Sequence, residues 1–330
     1  DGPFAVPGEI RQDPDDNEDF ATDVYYAYVD GSGDYFPDIA HGRISVSSAA
    51  QAESVVQKII DYECTPVDDP EFYANGVNCA QFQDDDLDGY AERRFCHTSE
   101  EIRDYLLYDQ GYSIERIYYT DPVVDPTHFN NTIFSDGQPI PYELLRSEGY
   151  PWIGGQFDIL DAINEGKFYV FHRDHGFIGG SGWSQPRFTV TDIANLSNGS
   201  KTPVVFSINC HTGEFQLEEC FAEKFLRHEN GGAVGVVAAS YYSYSGFNDA
   251  LSVGMVDAIW PDPGLTPDFG SHGNPHPTSS TSSFKTMGDV VNIGITRMIE
   301  NWGDNSYSNE LFHWFGDPAM RIWTENPYNN

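Results

Sequence analysis

Three apolar runs in the middle of the chain constrain its fold more than any other feature. Lys167 to His172, Pro203 to Asn209 and Ala233 to Ala239 are rich in Val, Phe and Ile, and each is bounded by Gly, Pro or Asn. Apolar runs without polar alternation suit strands buried on both faces of a parallel sheet. Leu217 to Arg227, between the second and third runs, has helical spacing. This alternation predicts an α/β sandwich of helices around a mainly parallel sheet, in which sites form at the carboxyl ends of the strands.

Further elements follow from periodicity. Ala49 to Tyr62 places Val55, Val56, Ile59 and Ile60 on one helical face. Thr98 or Ser99 is expected to cap a helix from Glu100 to Gln110 that stops at Gly111. A strand is expected over Ile114 to Tyr119, a helix over Phe157 to Asn164, and a late helix carrying Val290, Val291, Ile293, Ile295, Met298 and Ile299. Asp23 to Val29 reads as a strand before the turn Asp30 to Asp34, and the segment up to Phe20 as an arm or loop rich in Asp, Pro and Gly. Pro261 to Ser283 reads as a mobile loop or processing site.

The charge balance excludes whole classes of function. With 17 Lys+Arg against 52 Asp+Glu, the formal charge is −35. Nucleic acid and anionic membranes, which are held by clustered Lys and Arg, are disfavoured partners. The longest apolar stretch, Gly231 to Ala239, falls far short of the ~20 residues that span a bilayer. Such acidity instead suits an extracellular or high-salt chain and offers oxygen ligands to hard cations such as Ca2+. The start at Asp1 without a leader is expected of a processed product.

Two strand ends carry chemistry. The first run delivers Asp174-His175-Gly176, and the second delivers Asn209-Cys210-His211-Thr212-Gly213-Glu214-Phe215. If these strands are parallel neighbours, their ends lie roughly 5–10 Å apart, because adjacent strands are spaced ~4.8 Å. Cys210 and His175 then meet at one rim, where the imidazole favours the nucleophilic thiolate and later returns a proton to the leaving amine. Gly176, without a Cβ, lets its amide approach a substrate carbonyl and pair with the Cys210 amide as an oxyanion hole. A single Cys ending a buried strand is most often a small core residue. The joint arrangement, His before Cys with both closing apolar runs, argues otherwise and is the order found in caspases.

The sequence resembles the gingipain family of cysteine peptidases, relatives of caspases and legumains, across nearly its whole length. The motifs that carry the resemblance are His175-Gly176 with Trp183 downstream, Cys210-His211-Thr212-Gly213-Glu214-Phe215, Glu219-Cys220-Phe221-Ala222-Glu223 and Phe315-Gly316-Asp317-Pro318-Ala319-Met320. Upstream, Asp23-Val24-Tyr25-Tyr26, Pro37 to Arg43 and Ile60-Asp61-Tyr62-Glu63 are similar to the family's first subdomain. The resemblance implies a caspase-like α/β sandwich of two subdomains. Residues 1–67 are the remainder of the first, incomplete at its N-terminus, and residues 68–330 form the catalytic one. An open sheet edge is then expected, together with either a separate N-terminal chain produced by maturation cleavage or a reduced first subdomain.

The resemblance also implies a secreted or cell-surface endopeptidase that acts on polypeptides through a thioester acyl-enzyme. Cys210 is the nucleophile, His175 the acid and base, and the amides of Cys210 and Gly176 hold the oxyanion. Matching the strand around Cys79 places the acidic residue that orients the histidine at Asp84, with Asp174 as rival. Asp84, Asp86 and Asp88, followed by Gly89, also have the spacing of a calcium loop, although Phe95 stands where its last ligand, a Glu, is needed. A structural Ca2+ site and a solvated acidic turn both remain open; no organic cofactor is expected. The family's acidic residue for basic substrate side chains falls on Asn248, beside Asp249, which leaves the preference for a basic residue open. Tyr242 and Trp183 complete the expected substrate-binding set. One pair among Cys64, Cys79 and Cys96 is expected to form a disulfide, and Cys220 to pack on the helix after the nucleophile. Two other functions compete, a non-catalytic binding protein that keeps the fold and a sortase-like transpeptidase in which an amine replaces water.

Overall fold

The three apolar runs become adjacent strands of one six-stranded sheet. The computed structural model describes residues 7–31, 33–129, 137–268, 275–303 and 305–328. In chain order the elements are β1 (Glu9–Gln12), β2 (Asp19–Thr22), α1 (Ala49–Cys64), α2 (Pro70–Ala74), β3 (Asn75–Gln81), α3 (Phe95–Asp104), β4 (Ser113–Tyr119), α4 (Gln156–Glu165) and β5 (Tyr169–Arg173). There follow β6 (Gly182–Trp183), β7 (Phe188–Thr189), α5 (Val190–Ile193), β8 (Val204–Ile208), α6 (Phe221–Arg227), β9 (Gly235–Ala239), α7 (Ser245–Ile259), α8 (Met287–Trp302), α9 (Ser306–Asn309) and β10 (Phe312–Phe315).

The sheet order is β10-β9-β8-β5-β3-β4, parallel except at β10. Every residue of β5, β8 and β9 is buried, as expected of strands covered on both faces. The helices fall into two contacting sets, α3 with α7 and α7 with α8, and α1 with α6, α6 with α5 and α5 with α4. After β3 the chain moves outward to β4 and then returns to place β5 on the other side of β3, so β3 and β5 flank the point where strand order reverses. Crevices in open α/β sheets form at such points.

Residues 1–67 build no core of their own among the described residues. Phe20, Val55, Ile59 and Tyr62 belong to the same apolar cluster as the sheet. At the β10 edge Arg43 alone pairs among the described residues, its amide donating to the Trp314 carbonyl at 2.8 Å and its carbonyl accepting the Gly316 amide at 3.0 Å. Asp23, expected to open a strand, instead ends one. Its carboxylate takes both nitrogens of Arg43 at 2.6 and 2.7 Å and its amide donates to His313 Nε2, which turns the chain into a 3-10 helix over Val24–Ala27. The expected N-terminal arm is a hairpin of β1 and β2.

Other differences lie at boundaries. α6 starts at Phe221 rather than Leu217, because the Glu223 carboxylate accepts the Cys220 amide at 2.9 Å and fixes the first turn there. α3 begins at Phe95, ahead of the expected cap. α7 occupies much of what reads as a loop, and almost all of its residues are buried. Part of the Pro261 to Ser283 loop, residues 269–274, lies outside the described residues; nearby, Asp257 accepts the amides of Leu265 and Ser280. All five cysteines are thiols, with Cys79, Cys96 and Cys220 buried and Cys64 exposed, so the expected disulfide is absent. No described helix is long and apolar enough to cross a membrane.

Trp183 belongs to this core and not to a substrate site. It has 0% exposure, stacks on His172 with ring centroids 4.2 Å apart and donates from Nε1 to Ser207 Oγ at 2.8 Å. Truncation of such a residue costs about 3–5 kcal/mol. Trp183→Ala is therefore expected to lower the urea midpoint at unchanged slope, and a variant of native stability altered only in ligand binding would contradict this placement.

Candidate active site

Strand register brings the reactive side chains together. β5 pairs with β8 with Arg173 opposite Ile208, and β3 pairs with β5 with Ala80 opposite Arg173. Two residues further along each strand direction stand Phe82, His175 and Cys210, at one rim of the sheet. His175, Gly176 and Cys210 line a cleft of about 520 Å3, closed on one side by Tyr242, Ser243, Tyr244 and Asn248 and by Asp13, Asp15 and Asp16 of the β1–β2 turn. The contact between the two strand ends is close. A Cβ on Gly176 would lie 1.9 Å from the Cys210 carbonyl oxygen and 3.0 Å from Asn209 Oδ1, so only glycine fits.

Cys210 is lifted into the cleft by a sharp turn after β8, in which His211 adopts φ +64°. Left-handed backbone at a bulky residue is strained and persists where the surroundings impose it. Here the His211 ring is wedged edge-on against Tyr241 and Tyr242, and Nδ1 lies 3.2 Å from Glu214. The Ser243 amide donates to Cys210 Sγ at 3.3 Å, and the Asn248 amide nitrogen holds the Ser243 hydroxyl at 2.7 Å. Burial pushes the Cys210 thiol above its ordinary range, opposed by the Ser243 contacts and the charge of Arg173.

His175 is held by groups that sequence reasoning missed. Its Nε2 lies 2.9 Å from Gln83 Oε1, and Gln83 Nε2 donates to Asp85 at 2.7 Å. Because the amide nitrogen of Gln83 is committed to a carboxylate, its oxygen faces the ring. Nε2 therefore carries the proton and Nδ1 is the basic nitrogen. Phe95, the first residue of α3, meets the imidazole edge-on with centroids 5.2 Å apart and lies beneath the Arg173 guanidinium at 4.8 Å. Burial lowers the His175 pKa, and the charges of Arg93 and Arg173 lower it further, against the influence of Asp85. Both shifts favour the uncharged forms, a thiol and a neutral imidazole.

Asp84 does not orient His175. Its two carboxylate oxygens accept the amides of Leu87, Asp88 and Gly89 at 2.7, 3.2 and 2.8 Å, which turns it into its own loop while the preceding Gln83 faces the histidine. Adjacent side chains on extended backbone point oppositely, so Gln83 and not Asp84 reaches the ring. Asp174 also turns away, accepting the Gln185 amide at 2.7 Å. Asp249 is no pocket carboxylate. It bonds Arg173 at 2.8 Å, Arg94 at 3.1 Å and the Thr98 hydroxyl at 2.8 Å, all buried. Asn248 and Tyr242 do line the cleft, and Asn248 Oδ1 is buried without a hydrogen-bond partner.

Two groups of side chains are spaced for a cation near this rim. Asp84, Asp86 and Asp88 bring ligand oxygens within 4.8 Å of one another, as do His97, Glu101 and Asp268. In the second group a cation is already present, since the Arg94 guanidinium bonds both Asp268 and Glu101.

Comparison with known proteins places these features in context. The sequence profile of Peptidase family C25 matches residues 3–323. Lys-gingipain HG66 of Porphyromonas gingivalis is 25% identical over 320 residues, covering 94% of this chain and 16% of that protein. Gingipain R2 of the same organism is 22% identical over 309 residues, covering 92% of this chain and 35% of that protein. The chain thus spans well under half the length of these relatives. Among solved structures, the Arg-specific cysteine proteinase gingipain R (RgpB) superposes with a TM-score of 0.70 at 20% identity, covering 93% of this chain and 61% of that one. A complex of RgpB pro- and mature domains gives 0.67 at 19% identity, covering 93% and 62%.

Two outcomes follow from the geometry. Burial disfavours the thiolate, so alkylation of Cys210 by iodoacetamide is expected to rise with pH and reach half-maximum at a higher pH than free cysteine in the same buffer; a lower midpoint would mean a resting thiolate-imidazolium pair. Asp249→Asn removes the carboxylate shared by two buried arginines and is expected to cost about 3–5 kcal/mol in chemical denaturation. A D249N protein of native stability would refute the structural role.

Proposed function

Because the chain belongs to peptidase family C25, we propose that it is a cysteine endopeptidase in which Cys210 and His175 form the catalytic pair. The reading is carried by one observation, that both residues follow directly paired positions of neighbouring parallel strands into a single cleft. In this mechanism His175 Nδ1 takes the Cys210 proton as sulfur bonds the scissile carbonyl carbon. The amides of Cys210 and Gly176 receive the oxyanion, and the close seating of Gly176 against the nucleophile's backbone supports that pairing. The imidazolium then protonates the leaving amine as the C–N bond breaks, which leaves a thioester. His175 next takes a proton from water, whose oxygen attacks the thioester carbon, and returns it to the departing sulfur. Gln83, buttressed by Asp85, holds the ring in the tautomer this cycle needs.

The acyl side of the cleft favours a basic residue before the scissile bond. Asp13, Asp15 and Asp16 face it, and Asn248 offers a buried carbonyl oxygen that has no partner. Tyr244 and Tyr241 hydroxyls hold Asp15 and Asp16 at 2.6 and 3.2 Å, which fixes the acidic turn over the cleft. Asp84, Asp86 and Asp88 suit Ca2+, since Gly89 closes their loop at φ +87°, where a Cβ would lie 2.6 Å from Thr127 Oγ1. The high acidity suits an extracellular setting.

A thiol-directed peptidyl probe with a basic terminal residue is expected to label the protein, and Cys210→Ala to abolish labelling. His175→Ala should lower kcat/KM by about 10²–10⁴-fold. Absence of labelling and of peptide cleavage would reject the peptidase, and products lengthened by an added amine would mark transfer in place of hydrolysis. Calcium is expected to raise Tm in the native protein but not in Asp86→Asn; equal shifts in both would reject the metal loop.

A further inference from the structure

We propose that Arg93 is a specificity residue that binds a carboxylate on the leaving-group side of the scissile bond, so that the preferred substrate carries an acidic residue just after the cleavage point. The proposal rests on the peptidase reading above. In a chain with 17 Lys+Arg and 52 Asp+Glu, a cation is expected to find a carboxylate, yet among the described residues Arg93 makes no hydrogen bond and no ion pair. It nevertheless lines the catalytic cleft and is partly buried.

The carboxylates nearest it hold other donors and none pairs with it, although Asp174 keeps one buried oxygen without a partner. Asp84 is closed on its own loop, Asp85 holds Gln83, Glu92 accepts the Asp85 amide at 2.8 Å and Asp174 accepts the Gln185 amide. The other cleft arginine, Arg173, is saturated by Asp249 and Ser245. Arg93 is also fixed from behind, because Arg94 is buried in its ion pairs and Phe95 is packed against His175.

Chemistry decides which part of the substrate it faces. The acyl half of the peptide stays on Cys210, while the amine half takes its proton from His175, so the region beyond the imidazole receives the residues after the cleavage point. Arg93 follows Glu92, whose amide donates to the Gln83 carbonyl at 3.0 Å, so it stands on the β3 side of His175, away from Cys210 at the end of β8, and lines the same cleft. Asn248, bonded to the Ser243 that contacts Cys210 Sγ, and the acidic turn held by Tyr241 and Tyr244 stand on the opposite side, after β9. The cleft is therefore polarised, anionic before the bond and cationic after it. An exposed carboxylate on an arginine fork gains a charge-assisted, bidentate contact that glutamine cannot supply.

The test uses fluorogenic peptides with one basic residue before the scissile bond and either Glu or Gln at the first or second position after it. The wild-type protein is expected to favour Glu by about tenfold in kcat/KM, equivalent to about 1.4 kcal/mol, and the ratio should fall as salt rises. In Arg93→Ala the ratio should approach one, in Arg93→Glu it should fall below one, and in Arg93→Lys it should be partly retained. Because each ratio is taken within one enzyme, partial loss of folded protein cancels. A matched pair with free or amidated C-terminus distinguishes a side-chain carboxylate from a chain-terminal one, and preference for the free terminus alone would overturn the side-chain assignment. Cleavage indifferent to Glu or Gln, or a preference unchanged in Arg93→Ala, overturns the role of Arg93 and leaves the peptidase standing. No cleavage and no Cys210 labelling removes both.

Discussion

The register between β5 and β8 is the constraint on which the site depends. Arg173 lies opposite Ile208, and because both strands run the same way, the residues that follow must emerge side by side. A one-residue slip would turn His175 or Cys210 to the opposite face of the sheet. The register is set by burial, since each position of the two strands is enclosed. The seating of Gly176 on the Cys210 carbonyl, which a single methyl group would prevent, depends on the same alignment.

Beneath the rim, charges are arranged so that the cleft is rigid without being neutral. Asp249 joins Arg173 of β5 to Arg94 before α3 and presents its carboxylate from the second turn of α7. Buried pairs of this kind add little net stability compared with apolar packing, but they penalise any rearrangement that separates them. Phe95 and the Arg173 guanidinium then fix the histidine from below. The acidic β1–β2 turn comes from the other end of the chain and is pinned by tyrosine hydroxyls beside α7. The electrostatic asymmetry of the cleft thus joins residues 13–16, 93–94, 173 and 248–249, which only the folded chain makes neighbours.

Much of the architecture was legible before any coordinates. The apolar runs announced the parallel strands, and the residues that close them, His175, Gly176 and Cys210, line one cleft. Elements that pack all round were harder to read. α7 is buried on nearly every side, so it has no polar face and no helical period to find. Asp23 looked like part of a strand because its neighbours are Val and Tyr, while the clamp from Arg43 and His313 that bends the chain comes from residues distant in sequence.

Sequence by itself determined which residues have the chemistry to act, and where the strands that carry them end, because burial on two faces and the need for a side-chain-free residue beside Cys210 are written locally. Only tertiary structure decided which polar side chains were already spent. Asp84 and Asp249 look free to face the cleft as letters but hold loop amides and buried arginines in the fold, while Gln83 and Arg93 look ordinary and face the cleft of Cys210 and His175. A carboxylate has no functional identity until its partners are known, and those partners are supplied by long-range packing.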